Sequence, residues 1–279
     1  MKKVAIIGYG YVGKAMGLIF PDALIYDPFY DKSNTKEEIN KECGLVVICV
    51  PTPPVGMKGE QRVEEDEESF RAVDLSMVEN SLEWLTVDLV LIKSTIPPGT
   101  TDMLIEKYNK KICFSAEYIG EGNYYTPPKY PDPLDPRKHD FMIIGGDPLV
   151  ADEIFSYFIP KLGPAKKYHK MTAVEGECVK YFENSWGAMK VTFFNELFEI
   201  CKAVGASFTS VREGLLLDSR IEQMHTAVFE DKRGFGGKCF PKDLLGIIAQ
   251  SEKAGYSPDL LKEVWNSNKR FLSKNKENK

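Results

Sequence analysis

The run Gly234-Phe235-Gly236-Gly237-Lys238-Cys239-Phe240-Pro241-Lys242-Asp243 sets one thiol between a glycine-rich turn and a Pro-Lys-Asp. Glycines let the backbone approach a ligand closely and adopt positive φ. Proline suits the first turn of a helix, where its missing N–H costs nothing. Cys239 is therefore expected just ahead of a helix N-terminus, where the helix dipole, Lys238 and Lys242 favour a thiolate. Asp243 can orient a neighbour or take up a proton. The same run also fits a plain glycine turn around a small buried residue, so the other chemistry-bearing residues must decide. Lys180 and Asn184 are four apart and share one face of a predicted helix. Cys178, Tyr181 and Phe182 around them suit a partly buried lysine, which can stabilise an oxyanion. An ordinary solvated Lys and Asn is the alternative. Glu117 and Glu121 fit either an acid/base pair or two solvated loop acids, and their spacing does not choose.

These residues need a scaffold, and the N-terminal half supplies one. Val4-Ala5-Ile6-Ile7 reads as a short buried strand and runs into Gly8-Tyr9-Gly10-Tyr11-Val12-Gly13, followed by a helical segment from Lys14. A G-x-G-x-x-G run between a strand and a helix is the fingerprint of dinucleotide binding. Gly8 permits the tight turn, Gly10 lets a pyrophosphate approach the helix N-terminus, and Gly13 lets helix and strand pack. A second strand, 23–26, ends at Asp27, where a carboxylate accepts ribose hydroxyls and repels a 2′-phosphate. NAD is therefore expected rather than NADP.

Strand-like and helical runs then alternate, with strands expected at 44–50, 89–92, 112–114, 141–144 and near 167–169. Such alternation predicts an α/β fold, a doubly wound and mainly parallel sheet with helices on both faces. Thr52, Thr95 and Glu117 fall beyond carboxyl ends of these strands, where ligands bind. From about 172 to 204 one long helical run follows, and helices are expected over 207–217, 241–254 and 258–272, with a frayed polar tail from 273. The predicted organisation is a dinucleotide-binding domain over 1–170 and a helical domain over 171–279.

A chain of 279 residues with net charge −5 can bury a sizeable core and has no large basic patch before its tail, which argues against nucleic acid as a partner. The N-terminal apolar run is too short for a signal peptide, and no run is long enough to span a membrane, so a cytoplasmic protein is expected. Cys43, Cys49, Cys113, Cys178, Cys201 and Cys239 are scattered with no Cys-x-x-Cys pair, which points to reduced thiols and no metal site. The three histidines, His139, His169 and His225, read as surface or structural residues.

Taken together, these motifs resemble the UDP-glucose/GDP-mannose dehydrogenase family. The likeness rests on the glycine fingerprint, Val50-Pro51-Thr52-Pro53, Lys93-Ser94-Thr95-Ile96-Pro97-Pro98-Gly99-Thr100, Glu117-Tyr118-Ile119-Gly120-Glu121-Gly122, Lys180 with Asn184, Asp218-Ser219-Arg220-Ile221 and the cysteine run. The resemblance implies NAD-dependent, four-electron oxidation of a nucleotide-sugar alcohol to a carboxylate, with UDP-glucose the default substrate. Cys239 matches the nucleophile. Lys180 and Asn184 match the holders of the oxyanion and the reacting hydroxyl, and Asp243 the acid that works with an ordered water. Glu117 and Glu121 match two loop glutamates, one of them used in thioester hydrolysis. Tyr118, Phe235, Gly236 and Gly237 fall on the substrate-binding stretches. Asp27, Lys32, Thr52, Thr95 and Lys242 match cofactor contacts, beside Gly8, Gly10, Tyr11, Val12 and Gly13. Arg220 resembles an arginine that reaches the substrate of the partner subunit in a homodimer built on the helical domain. Family members continue into a third, nucleotide-covering domain, which this chain is expected to lack. Two other activities fit the same residues less fully: a two-electron oxidation of a β-hydroxy acid, which does not need Cys239, and a non-catalytic assembly subunit.

Overall fold

In the computed structural model, which describes residues 2–55, 67–119, 132 and 134–277, the chain separates into two compact units. The first comprises Met1–Pro53 and Val73–Lys180, the second Pro54–Ala72 and Tyr181–Lys279. The chain crosses between them at Pro53/Pro54, at Ala72/Val73 and, inside a helix, at Lys180/Tyr181.

Among the described residues the first unit is built on seven strands: β1 (Lys3–Ile7), β2 (Leu24–Tyr26), β3 (Cys43–Ile48), β4 (Leu89–Ile92), β5 (Lys111–Phe114), β6 (Phe141–Gly145) and β7 (Lys167–Met171). Their order in the sheet is β2-β1-β3-β4-β5-β6-β7. All pairings are parallel except β5 with β6. The order reverses at β1, between β2 and β3, which makes the carboxyl ends of β1 and β3 the topological switch point where open sheets bind ligands. Helices α1 (Tyr11–Ile19), α2 (Lys36–Glu42), α3 (Ser76–Trp84), α4 (Thr100–Tyr108) and α5 (Pro148–Leu162) cover the faces.

The strand sequences explain the double cover. Ala5, Ile7, Val46, Ile48, Val90 and Ile92 send their side chains into one core with Ile39, Val78, Leu82 and Leu104. The alternate residues Val4, Ile6, Leu45, Val47, Leu89 and Leu91 enter a second core with Met16, Ile19, Ile154 and Phe158. A strand buried on both faces needs a continuous apolar run, which is what the sequence displays.

Helix α6 (Ala173–Val204), 32 residues long, starts in the first unit and runs into the second. The second unit also holds α7 (Phe208–Leu215), α8 (Phe240–Lys253) and α9 (Asp259–Glu277). Its core joins Phe70, Ala188, Phe235, Leu244, Ile248 and Trp265. Ion pairs Arg71–Glu252, at 2.5 Å, and Lys269–Glu67, at 3.1 Å, hold residues 67–71 in this unit. One expectation is corrected. Within the described residues the tail from 273 is helical, since α9 continues to Glu277, and Asn275 is hydrogen-bonded to the backbone of Arg233. His139 is 6% exposed, its ring against Tyr118 and Phe141, the structural one of the two roles expected for it.

Candidate active site

The first unit presents a bare helix N-terminus at its switch point. Gly10 caps α1 without any side-chain hydrogen bond, and the first turn contains no acid. The first N–H groups of a helix have no partner within it, and an anion completes them. A Cβ built on Gly10 would meet nothing within 4 Å. Gly8 sits at φ 85°, and a Cβ on Gly13 would collide with the Gly8 carbonyl oxygen. Tyr11 is exposed and Val12 half-buried beside them. Asp27, at the end of β2, accepts from the N–H of Tyr9 at 2.6 Å and of Phe29 at 2.8 Å. Its carboxylate thus ties the fingerprint turn to the next loop, while Lys32 lies exposed nearby in sequence. Thr52 donates to the Thr95 carbonyl at 2.7 Å, joining the segments that follow β3 and β4. This bare N-terminus, its glycines and the carboxylate fit the pyrophosphate and adenosine ribose of NAD.

Beyond β5, two lysines hold three consecutive residues. Lys93 donates to Ser115 Oγ at 3.2 Å and to the Ala116 carbonyl at 3.0 Å. Lys180 donates to the Glu117 carbonyl at 2.7 Å and pairs with Glu117 Oε1 at 3.0 Å. Glu117 Oε2 accepts the N–H of Ile119 at 2.9 Å. Burial lowers the Lys93 ammonium to about 8, against the opposing pull of Glu117 and Cys49. Burial pushes the Cys49 thiol up to about 12, so that cysteine is an inert core group. Tyr118 packs edge-on against Phe141, at 5.0 Å between ring centroids. Glu121 lies outside the described residues.

Glu177, in the first turns of α6 and fully buried, plugs the N-terminus of α4. Its carboxylate accepts from Gly99 N–H at 2.5 Å, Thr101 N–H at 2.7 Å and Thr101 Oγ1 at 2.6 Å. Nothing in the sequence singles out this residue, because its partners lie 76 and 78 positions away. Lys93 offered a faint signal: a charge placed immediately after the apolar run of β4.

In the second unit, Cys239 is the N-cap residue of α8 and is half-buried. Phe240 and Pro241 form the first turn, and the Asp243 N–H closes it on the Cys239 carbonyl at 2.9 Å. Asp243 is 1% exposed. Its carboxylate accepts from Asn184 Nδ2 at 2.5 Å and from Lys242 Nζ at 2.6 Å. Asn184, paired in the sequence reading with Lys180, is thus in direct contact with Asp243, one helical turn from the thiol. Lys242, expected at the cofactor, is 8% exposed and paired with Asp243. Gly236 and Gly237 are exposed, but Phe235 is 4% exposed and belongs to the core, against Phe240 and Trp265. Arg220 is exposed and paired with Asp218 at 2.6 Å.

Residues 174–270, which carry Lys180, Asn184, Cys239 and Asp243, match the central domain of the UDP-glucose/GDP-mannose dehydrogenase family. Among curated proteins, the UDP-glucose 6-dehydrogenase of Rickettsia bellii is 29% identical over 261 residues, which is 90% of this chain and 54% of that protein. The chain therefore spans about half the length of that relative. Among solved structures, a UDP-glucose dehydrogenase from Pyrobaculum islandicum superposes with a TM-score of 0.74 at 24% identity, covering 97% of this chain and 68% of that one. The 3-hydroxyisobutyrate dehydrogenase of Mycobacterium tuberculosis gives a TM-score of 0.65 at 15% identity, covering 98% of this chain and 94% of that one. At these identities the two structures establish a shared fold. The segment that matches this central domain thus follows the doubly wound sheet in the chain. No group of three metal-ligating side chains occurs among the described residues, and no described helix is long and apolar enough to cross a membrane.

Proposed function

We propose that this chain is the NAD-binding and catalytic part of a nucleotide-sugar 6-dehydrogenase, with UDP-glucose as its default substrate. The observation that carries the reading is the carboxylate of Asp243, buried one turn inside the helix that Cys239 caps and held by Lys242 and by Asn184 of α6. A buried carboxylate held by an amide and an ammonium, beside a thiol at a helix N-terminus, is an acid/base group next to a nucleophile. When bound, NAD takes up a hydride at each of two successive oxidations.

The chain's own residues do the rest. The first-turn N–H groups of α1, opened by Gly10, hold the pyrophosphate, and Asp27 accepts the ribose hydroxyls. Asp243, working through a water, receives the proton of the reacting hydroxyl. Lys180 and Asn184 stabilise the oxygen as it gains charge. The Cys239 thiolate attacks the aldehyde carbon, forming a C–S bond and a thiohemiacetal. Loss of hydride from that carbon gives a thioester. Water then cleaves the C–S bond, releasing the uronate and the thiol, with Glu117 as the base that activates it. One alcohol, two NAD and one water thus give one carboxylate, two NADH and the released protons. A homodimer through α6, with Arg220 reaching the partner's substrate, belongs to the same proposal. On α6, Phe182, Trp186, Phe193 and Ile200 are 51–56% exposed, which suits a helix covered by another copy.

The test is an NADH count per molecule of UDP-glucose, with Cys239→Ser beside the wild type. A two-electron oxidation of a β-hydroxy acid, which the fold also accommodates, produces one NADH per substrate and survives loss of the thiol.

A further inference from the structure

The stretch leading into the Cys239 turn is held in an unusual way. Asn268, on α9, accepts the Phe235 N–H through Oδ1 at 2.7 Å and donates Nδ2 to the Phe235 carbonyl at 2.9 Å. Asn275, seven residues further, does the same for Arg233: its Oδ1 accepts the N–H at 2.7 Å and its Nδ2 donates to the carbonyl at 2.9 Å. An asparagine side chain carries the same donor and acceptor as a peptide unit, so each one stands in for a neighbouring β-strand. Residues 268 and 275 are about two helical turns apart, roughly 10 Å along one face of α9. Gly234 fits between them at φ 72°, and a Cβ there would stand 2.6 Å from Asn268 Oδ1.

We propose that Asn268 and Asn275 are positioning residues for Cys239: a two-amide clamp that sets the register of the turn carrying the thiol. The proposal rests on the reading of Cys239 as the nucleophile. The clamp reaches the thiol through two aromatic anchors. Phe235 is fixed by Asn268 and packs on Phe240 at 6.1 Å between centroids. Phe240 is the first residue of α8. The turn 236–239 is therefore strung between two packed rings. The Arg233 side chain adds a third hold, donating to Asn195 Oδ1 and Glu199 Oε1, both at 2.7 Å, with its guanidinium over Phe198. A shift of either amide moves the turn relative to α8 without touching the core of α8 itself.

The full chain is compared as wild type, Asn275→Ala and Asn268→Leu. Losing one clamp removes two hydrogen bonds, so amide exchange across 233–239 is expected to rise roughly tenfold, with 244–249 of α8 staying within about threefold of wild type. Alkylation of Cys239 by iodoacetamide, read by mass on its peptide, is expected to quicken by about threefold or more as the turn opens. With NAD and UDP-glucose, kcat falls roughly tenfold while KM for NAD stays within about twofold, which a general loss of folded protein does not produce. Loop exchange and alkylation at wild-type rates in Asn275→Ala overturn the clamp. Equal loosening of α8 and the loop overturns it too. Asn268 is fully buried, so if Asn268→Leu does not fold, Asn275→Ala decides alone. A wild-type protein without turnover defeats the proposed activity, whereas exchange and alkylation still decide the clamp.

Discussion

Replacing Lys93 by Met should change how stability depends on pH, in a direction fixed by its burial. The ammonium is lowered from 10.5 to about 8 in the folded chain because desolvation outweighs the attraction of Glu117. Below pH 8 the lysine is protonated whether the chain is folded or not. Between about 8 and 10.5 the unfolded chain binds a proton that the folded chain does not. Stability then rises with pH, since the slope follows the excess of protons bound by the unfolded state. A gap of 2.5 pH units at 1.36 kcal/mol each comes to about 3 kcal/mol, of which roughly three-quarters is realised by pH 10. Other lysines, tyrosines and thiols titrate in the same range, so the quantity to read is the difference between the two proteins. Urea unfolding followed by circular dichroism at pH 7, 8, 9 and 10 supplies it. The wild type should gain about 2 kcal/mol on Lys93→Met between pH 7 and 10. Parallel curves for the two proteins would refute the burial argument. Curves that diverge in the opposite sense would show that the attraction of Glu117 dominates, and that Lys93 holds its proton in the fold.

Two further perturbations follow from the same geometry. Gly10→Ala should leave the melting temperature nearly unchanged, because its Cβ has open space, yet weaken NAD binding by roughly tenfold in calorimetry. Gly13→Ala should instead lower stability by about 2 kcal/mol or more, because its Cβ collides with the Gly8 carbonyl. Glu177→Gln should cost about 2–3 kcal/mol in urea unfolding. An amide keeps one acceptor oxygen for three donors and turns its NH2 toward the α4 N-terminus.

The parts of this molecule that show in the sequence are those with local periodicity. Strands β1, β3 and β4 are continuous apolar runs because both faces are covered, and such runs stand out. The fingerprint at 8–13 and the Cys239 turn are also local, since each needs glycines at fixed short offsets. The long α6 showed as a helical run that ended at its observed last residue. What stayed hidden depends on distant partners. Phe235 looks like a ligand contact in its glycine-rich setting, and only the packing of Trp265 and Phe240 makes it core. Lys242 sits two residues after Phe240, free to point anywhere in sequence terms, and the fold turns it onto Asp243. Asn275 lies in a polar, charged tail, and its two bonds to Arg233 are what keep α9 helical there. The unit border inside α6 leaves no mark, because one unbroken helix serves both units.

The central claim, that Cys239 carries a four-electron oxidation, is tested most directly by NADH stoichiometry. Purified protein is given limiting UDP-glucose with excess NAD, and absorbance at the NADH band is compared with uronate formed. Two NADH and one uronate per UDP-glucose, with no uronate from Cys239→Ser, is the predicted result. One NADH per substrate, or full uronate production by Cys239→Ser, contradicts it.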